Sequence, residues 1–229
     1  MTNTGPSIWL LRRLHASYRA SSAFTWWWRR RFTPGGGLVA LSIVATGLMG
    51  ADTNLSQAYQ LFVFLCVLFI AALAGTQFSR TRVAAERRLP RFGSVGDPVK
   101  YHVTLTNLTA QPQRGLAVTE NLTDPRPTVA QFLSVPEPGE KKRNWYDRQM
   151  GYFRWVWLLR QNVRGRVNEV ACPALPPKGT AEVELTLTPL RRGSLRFAGV
   201  AVACPDPFGL FRTFVEVPLP GALLVLPRR

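Results

Sequence analysis

The chain has 229 residues, 46% of them apolar, 18% charged and 11% aromatic, with 18 Gly and 18 Pro at no fixed period. That length fits one domain or two small ones, and the composition excludes a disordered chain and collagen-like order. Lys and Arg outnumber Asp and Glu by 29 to 13, a formal charge of +16, which points to anionic partners: phospholipid head groups, nucleic acid or an acidic protein face.

Residues 1–33 read as a basic N-terminal tail. Within it, residues 7–20 (SIWLLRRLHASYRA) space Ile8, Leu11, Leu14 and Tyr18 as a surface helix would. The Arg-rich, acid-free composition also resembles an organelle transit peptide. A cleaved secretory signal fits poorly, because the first apolar run begins beyond residue 30 and a second follows at once. Trp26, Trp27 and Trp28 abut Arg29, Arg30 and Arg31, the pattern of an interfacial membrane anchor.

Residues 35–51 (GGGLVALSIVATGLMGA) and 58–75 (AYQLFVFLCVLFIAALAG) are runs of 17 and 18 residues without a charge. A bilayer core of ~30 Å needs about 17 to 25 helical residues, so the pair predicts a transmembrane helical hairpin over 34–79. The linker 52–57 (DTNLSQ) carries one acid and no base, whereas Arg29, Arg30 and Arg31 precede the hairpin and Arg80, Arg82, Arg87, Arg88 and Arg91 follow it. The excess of positive charge on those flanks predicts that both termini are cytoplasmic.

From about residue 80 the pattern alternates, and a β-domain over 80–229 is expected. In 99–107 (VKYHVTLTN), Val99, Tyr101, Val103 and Leu105 share one face of a strand and Lys100, His102, Thr104 and Thr106 the other. Further strands are predicted at 116–122, 129–133, 181–188, 194–203, 213–217 and 223–226, with a hairpin turn at 189–193 (PLRRG) and a bulge centred on Gly199, where the apolar phase slips. Short strands with regular turn signals predict an all-β, immunoglobulin-like antiparallel sandwich.

Residues 137–170 interrupt that spacing with eight basic and four acidic residues among six aromatics. In 152–161 (YFRWVWLLRQ), Phe153, Trp155, Trp157 and Leu159 alternate with Arg154, Val156, Leu158 and Arg160, which predicts a strand. Arg154, Trp155, Trp157 and Arg160 are the candidate interaction surface, for lipid head groups or an acidic partner, the alternative being an ordinary core strand. No RNP-type or helix-turn-helix pattern accompanies them, so a nucleic-acid partner is not expected.

Catalytic and metal signatures are not readable. Cys66, Cys172 and Cys204 form no CxxC, and His15 and His102 lie near neither a cysteine nor a carboxylate pair, so no metal, cofactor or disulfide framework is expected. No Ser-His-Asp order, nucleophile elbow, phosphate loop or HExxH is present. Asn54, Asn107 and Asn121 begin glycosylation acceptor triplets, which recur by chance.

Residues 32–36 (FTPGG) ahead of the hairpin, 86–90 (ERRLP), 189–200 (PLRRGSLRFAGV), 205–212 (PDPFGLFR) and the closing LVLPRR occur in this order. Together they resemble bacterial membrane proteins of the family catalogued as domain of unknown function fifty-eight. The most specific pieces are Arg191, Arg192 and Gly193, followed by Asp206, Pro207, Phe208, Gly209 and Phe211. The resemblance implies two spans in the bacterial inner membrane, an immunoglobulin-like β-domain and a following domain related to von Willebrand factor A folds. The chain stops where that last domain should begin, so a truncated product or fragment is expected, with any activity of the missing domain elsewhere. The resemblance also implies association with a MoxR-type AAA+ ATPase. Read from its residues alone, PDPFGLFR is a structural corner, with Gly209 at positive φ and three large apolar side chains pinned to the core. The function expected is a non-enzymatic, membrane-anchored scaffold at the cytoplasmic face, the alternative being an envelope-binding β-domain with inverted topology.

Overall fold

Alternating apolar residues place most of the second half of the chain in two sheets. The computed structural model describes residues 8–49, 56–78 and 81–227. Three helices come first, α1 (Ile8–Arg31), α2 (Pro34–Met49) and α3 (Ser56–Phe78). Strands β1 (Val83–Arg88), β2 (Phe92–Ser94), β3 (Val99–Asn107) and β4 (Ala117–Leu122) follow. A helical insertion holds α4 (Val129–Ser134), a 3-10 turn (Glu140–Lys142), α5 (Trp145–Met150) and α6 (Tyr152–Asn162). The chain then returns to strands with β5 (Gly165–Val167), β6 (Val170–Ala171), β7 (Thr180–Pro189), β8 (Gly193–Pro205) and β9 (Arg212–Leu226).

One sheet has the order β1-β3-β7-β5 and the other β2-β9-β8-β4-β6. This is the immunoglobulin arrangement, A-B-E-D facing G-F-C, with the helical insertion between the C and D strands. Val103, Leu105, Leu185 and Leu187 from the first sheet meet Val118, Leu195, Val200 and Val202 from the second, all buried, as period-two alternation requires.

Four sequence expectations need correction here. The 189–193 segment is not a hairpin turn, because β7 and β8 lie in different sheets and the segment crosses between them. Its two flanking strands are in phase because they face one another across the core. The strands expected at 213–217 and 223–226 are one continuous strand paired with β8 on either side of the slip. The sandwich is also not wholly antiparallel, since β2 runs parallel to β9. The fourth correction concerns 129–133 and 152–161, which are helices. Thr128 and Gln131 form a capping box, each side chain bonded to the other's backbone N–H at 3.2 Å, which starts α4. In α6 the buried residues are Trp155 and Leu158, three apart on one helical face, rather than alternate residues.

The bulge at Gly199 is present. The register slips between Phe197 and Gly199 on both neighbours of β8, and a Cβ on Gly199 would run into the Val217 carbonyl oxygen.

Within the basic N-terminal segment, residues 8–31 form α1, whose first half packs against the helical insertion. Leu11 packs with Phe132, Trp155 and Leu158 in a small second core. His15 Nε2 lies 2.9 Å from the Pro127 carbonyl oxygen, and its ring packs against those of Phe132 and Trp155. The Tyr18 hydroxyl donates to Met150 O (3.1 Å). The first half of α1 and the insertion thus form one helical unit beside the sandwich, stabilised by burial of large aromatic rings.

Candidate functional site at the junction of hairpin and sandwich

The β8–β9 loop is the place where the helical hairpin and the sandwich join. Asp206 is buried and organises the loop: its carboxylate accepts from Phe211 N (2.7 Å) and Phe208 N (3.0 Å), while Asp206 N donates to Phe211 O (3.0 Å). Gly209 has φ +70°, as the turn requires. Replacing Asp206 by Asn keeps the size and removes the charge, and a loss of about 1–2 kcal/mol in unfolding free energy is expected from the two weakened charge-assisted bonds. Denaturant titration of the full chain measures it.

Thr33 joins that loop to α2. Its hydroxyl donates to Gly209 O (2.7 Å) and accepts from Gly36 N (3.0 Å), and its own N–H donates to Leu210 O (3.2 Å). Pro34 opens α2 at a position where a missing N–H costs nothing. Phe32 pairs with Phe211 in an isolated antiparallel bridge. Its ring stacks on Trp28 (3.6 Å between centroids) and meets Phe211 edge-on at 4.9 Å; Phe211 meets Phe69 of α3 at the same distance. Ala72, Leu210 and Phe211 form a buried cluster with Leu68 and Val39 against it. FTPGG and PDPFGLFR, far apart in sequence, are therefore two halves of one joint. Phe208, at 52% exposure, stays on its surface.

The structure does not bring all of the family-like motif together. Arg191 and Arg192 are exposed, and with Gly193 they sit at the far end of β8 from Asp206, Pro207, Phe208, Gly209 and Phe211.

Of the residues expected to form an anchor, Trp26, Trp27 and Trp28 are exposed at the end of α1, as are Arg29 and Arg31. Arg30 instead turns inward. Its guanidinium lies over the rings of Trp26 (4.7 Å) and Phe214 (4.1 Å), with Glu216 4.0 Å away, and its buried Nη2 has no hydrogen-bond partner. Burial pulls its pKa down from the ordinary arginine value, with Glu216 opposing that shift.

The expected interaction surface is divided by the helix. Trp155 is 4% exposed and belongs to the helical core, which removes it from the surface. Arg154 is held by Glu140 and by the Phe132 carbonyl oxygen (2.9 Å), so it is a structural cation. Trp157 is half-buried and Arg160 exposed. The aromatics of the segment that do reach the surface are Trp145, Tyr146, Tyr152 and Phe153.

A buried ionic cluster escaped the sequence reading. Arg87 of β1 and Glu120 of β4 pair across the sandwich with side chains 3% and 0% exposed. The Tyr101 hydroxyl donates to Glu120 Oε2 (2.7 Å), and Arg87 Nη2 donates to Leu219 O (2.8 Å). The Arg87 guanidinium also lies 4.4 Å from the centroid of the Phe197 ring. Burial raises the Tyr101 hydroxyl well above its ordinary value and keeps it a donor. Burial also pushes the Glu120 carboxyl up, against the opposing pull of Tyr101 and Arg87. The visible signal was an acid and a base, one on each strand, in the inward phase of Val83-Ala85-Arg87 and Val118-Glu120.

The remaining chemistry-bearing residues are structural or exposed. Burial pushes the Cys172 and Cys204 thiols up, away from the thiolate a nucleophile needs. His102 is exposed and lies 3.5 Å from Glu182. Among the described residues no group of three His, Cys, Asp or Glu side chains is placed to share a metal ion. The Asn107 side chain is buried and bonded to Gln111 O (2.8 Å), Pro176 O (3.0 Å) and Thr109, which leaves no room for a glycan. Asn121 donates to Glu216 (3.2 Å), and Asn54 lies outside the described residues.

No family model matches the chain, and no curated protein matches it. Among solved structures it is similar to the CARDB domain of a Pyrococcus furiosus protein, crystallised in complex with di-metal ions, at 14% identity over 66% of this chain and 98% of that one, TM-score 0.32. It is similar to a PapD-like domain of human CEP192, at 15% identity over 65% of this chain and 88% of that one, TM-score 0.32. It is also similar to part of Salmonella alpha-2-macroglobulin, at 16% identity over 63% of this chain and 7% of that one, TM-score 0.31. At such identities and scores the fold rests on the strand order itself: the chain is a β-sandwich with a helical N-terminal part.

Proposed function

We propose that the protein is a membrane-anchored, non-enzymatic scaffold in which α2 and α3 cross the bacterial inner membrane as a hairpin and hold the sandwich at the cytoplasmic face. One observation carries this reading. The 20-residue stretch Gln57–Thr76 of α3 is long and apolar enough to cross a membrane, and it leaves Phe64, Val67 and Ile70 exposed instead of burying them in the sandwich. It is the one such helix among the described residues; α2 has 16 residues, about 24 Å of helix. The ring of Phe62 lies against Gly47, which lets the two helices approach closely. Arginines on both outer flanks favour cytoplasmic termini. The motif resemblance adds a MoxR-type AAA+ ATPase as the partner to test first.

Carbonate extraction of host membranes tests the anchor. The wild-type chain is expected to stay in the pellet. Val67 and Ile70 point outward, so Val67→Lys with Ile70→Lys would be harmless on a soluble surface. In a bilayer each lysine costs about 2.5–3.5 kcal/mol of insertion free energy, and the double variant is expected to move toward the supernatant. A wild-type chain released by carbonate refutes the reading.

A further inference from the structure

The helix α1 has two faces, and only one is accounted for. Leu11, His15, Tyr18 and Ser22 turn toward the insertion. The opposite side carries Trp9, Arg13, Ala16, Ala20, Phe24 and Trp27, spaced by four, three, four, four and three residues, and every one of them is exposed. Trp9 is 64% and Phe24 60% exposed. Six residues at that spacing share one helical stripe, and the helix is about 36 Å long. The side chains are already ordered on one another: Arg13 lies over the Trp9 ring (4.7 Å), Phe24 stacks on Trp27 (6.1 Å, 22°), and Arg31 lies over Trp27 (5.3 Å).

We infer that this stripe lies on the anionic headgroup layer of the membrane that holds the hairpin, which rests on the anchor proposed above. Charge chooses the occupant. The sequence has no acidic residue before Asp52, while Arg12, Arg13, Arg29 and Arg31 are all exposed on α1. A second copy of the same face would set arginine against arginine, whereas anionic lipid complements it. The residue types fit the depth as well. Indole rings prefer the boundary between acyl chains and head groups, and arginine stems reach from there to the phosphates. Continuity supports the same occupant, because only Phe32 and Thr33 separate the end of α1 from the start of α2. The consequence is an orientation: the β-domain is not suspended from the hairpin but laid along the surface, with α1 between the bilayer and the insertion, so that Trp145, Tyr146 and Arg160 remain available to a protein partner.

The test uses the full chain with Cys66, Cys172 and Cys204 replaced by Ala, one fluorescent label at a time on Ala20→Cys, Ala45→Cys or Lys100→Cys, in vesicles whose acyl chains carry bromine quenchers. Ala45 is in the hairpin and Lys100 on the exposed face of β3. In phosphatidylcholine vesicles containing phosphatidylglycerol, the label at Ala20 is expected to be quenched several-fold more than the label at Lys100. That quenching is expected to fall to the Lys100 level when phosphatidylglycerol is left out or when Arg12 and Arg13 are changed to Glu, while quenching at Ala45 is unchanged. Quenching at Ala45 with none at Ala20 overturns the surface-lying helix and leaves the anchor standing. Protection of the Ala20 label from iodide without lipid quenching also overturns it, because protein then covers the stripe. Quenching at neither position refutes the anchor and the stripe together.

Discussion

Replacing Glu120 by Gln is expected to cost about 3–5 kcal/mol of unfolding free energy, because it leaves the Arg87 guanidinium buried with no counter-charge. A typical domain holds about 5–15 kcal/mol in all, so the variant sits near the threshold of folding at 37 °C. The loss is one of pairing rather than of packing. Gln fills the same volume and can still accept from the Tyr101 hydroxyl, which now bonds to Glu120 at 2.7 Å. Arg87 also keeps its bond to Leu219 O and its contact with the Phe197 ring, so the guanidinium has no other place to go. The companion variant separates the two causes. With Arg87→Met and Glu120→Leu together, no charge is buried, and stability is expected to recover to within about 1–2 kcal/mol of wild type. Urea titration of the two variants under the same conditions decides it; a Glu120→Gln protein as stable as wild type would show that water reaches the pair.

Replacing Gly36 by Val is expected to open the joint between hairpin and sandwich. A Cβ at Gly36 would drive into the Leu210 carbonyl oxygen and stand 3.0 Å from its carbon, and these are backbone atoms that cannot rotate away. Either α2 or the β8–β9 loop must move. Overpacking of this kind costs about 3 kcal/mol at the upper end of its ordinary range, and here it also breaks the bonds from Thr33 to Gly209 and Leu210. The sandwich core does not depend on that contact, so the effect is expected to be local. Limited proteolysis of the reconstituted protein is expected to cut the 205–212 segment at least about tenfold faster in Gly36→Val than in wild type, the factor that 1.4 kcal/mol of local opening supplies. The sandwich itself is expected to unfold at an unchanged midpoint. Unaltered cleavage would mean that the joint is held by the aromatic cluster alone.

What could be read in the sequence was what depends on local periodicity. The 99–107 strand is observed with the expected bounds, and Tyr101, Val103 and Leu105 are buried as their phase requires. The phase slip at Gly199 is a bulge because only a residue without a side chain fits beneath the Val217 carbonyl. Short amphipathic segments were harder. YFRWVWLLRQ alternates well enough to resemble a strand, yet eleven residues of helix bury only Trp155 and Leu158. The Thr-x-x-Gln capping box before 129–134 was in view and outweighs a five-residue apolar pattern. Pairings that join distant segments were out of reach. Nothing local says that Thr33 will bond to Gly209, or that Arg87 and Glu120 will meet. The turn at 189–193 failed for a related reason, since two strands in phase can pair edge to edge or face each other across a core.

If the hairpin anchors the sandwich on the cytoplasmic side, as proposed, reporter fusions after Arg229 will show it. One fusion carries a reporter active only in the cytoplasm and the other a reporter active only outside it. Signal is expected from the cytoplasmic reporter and none from the exterior one. Signal from the exterior reporter alone would contradict it, invert the membrane orientation and make an envelope ligand the partner to seek.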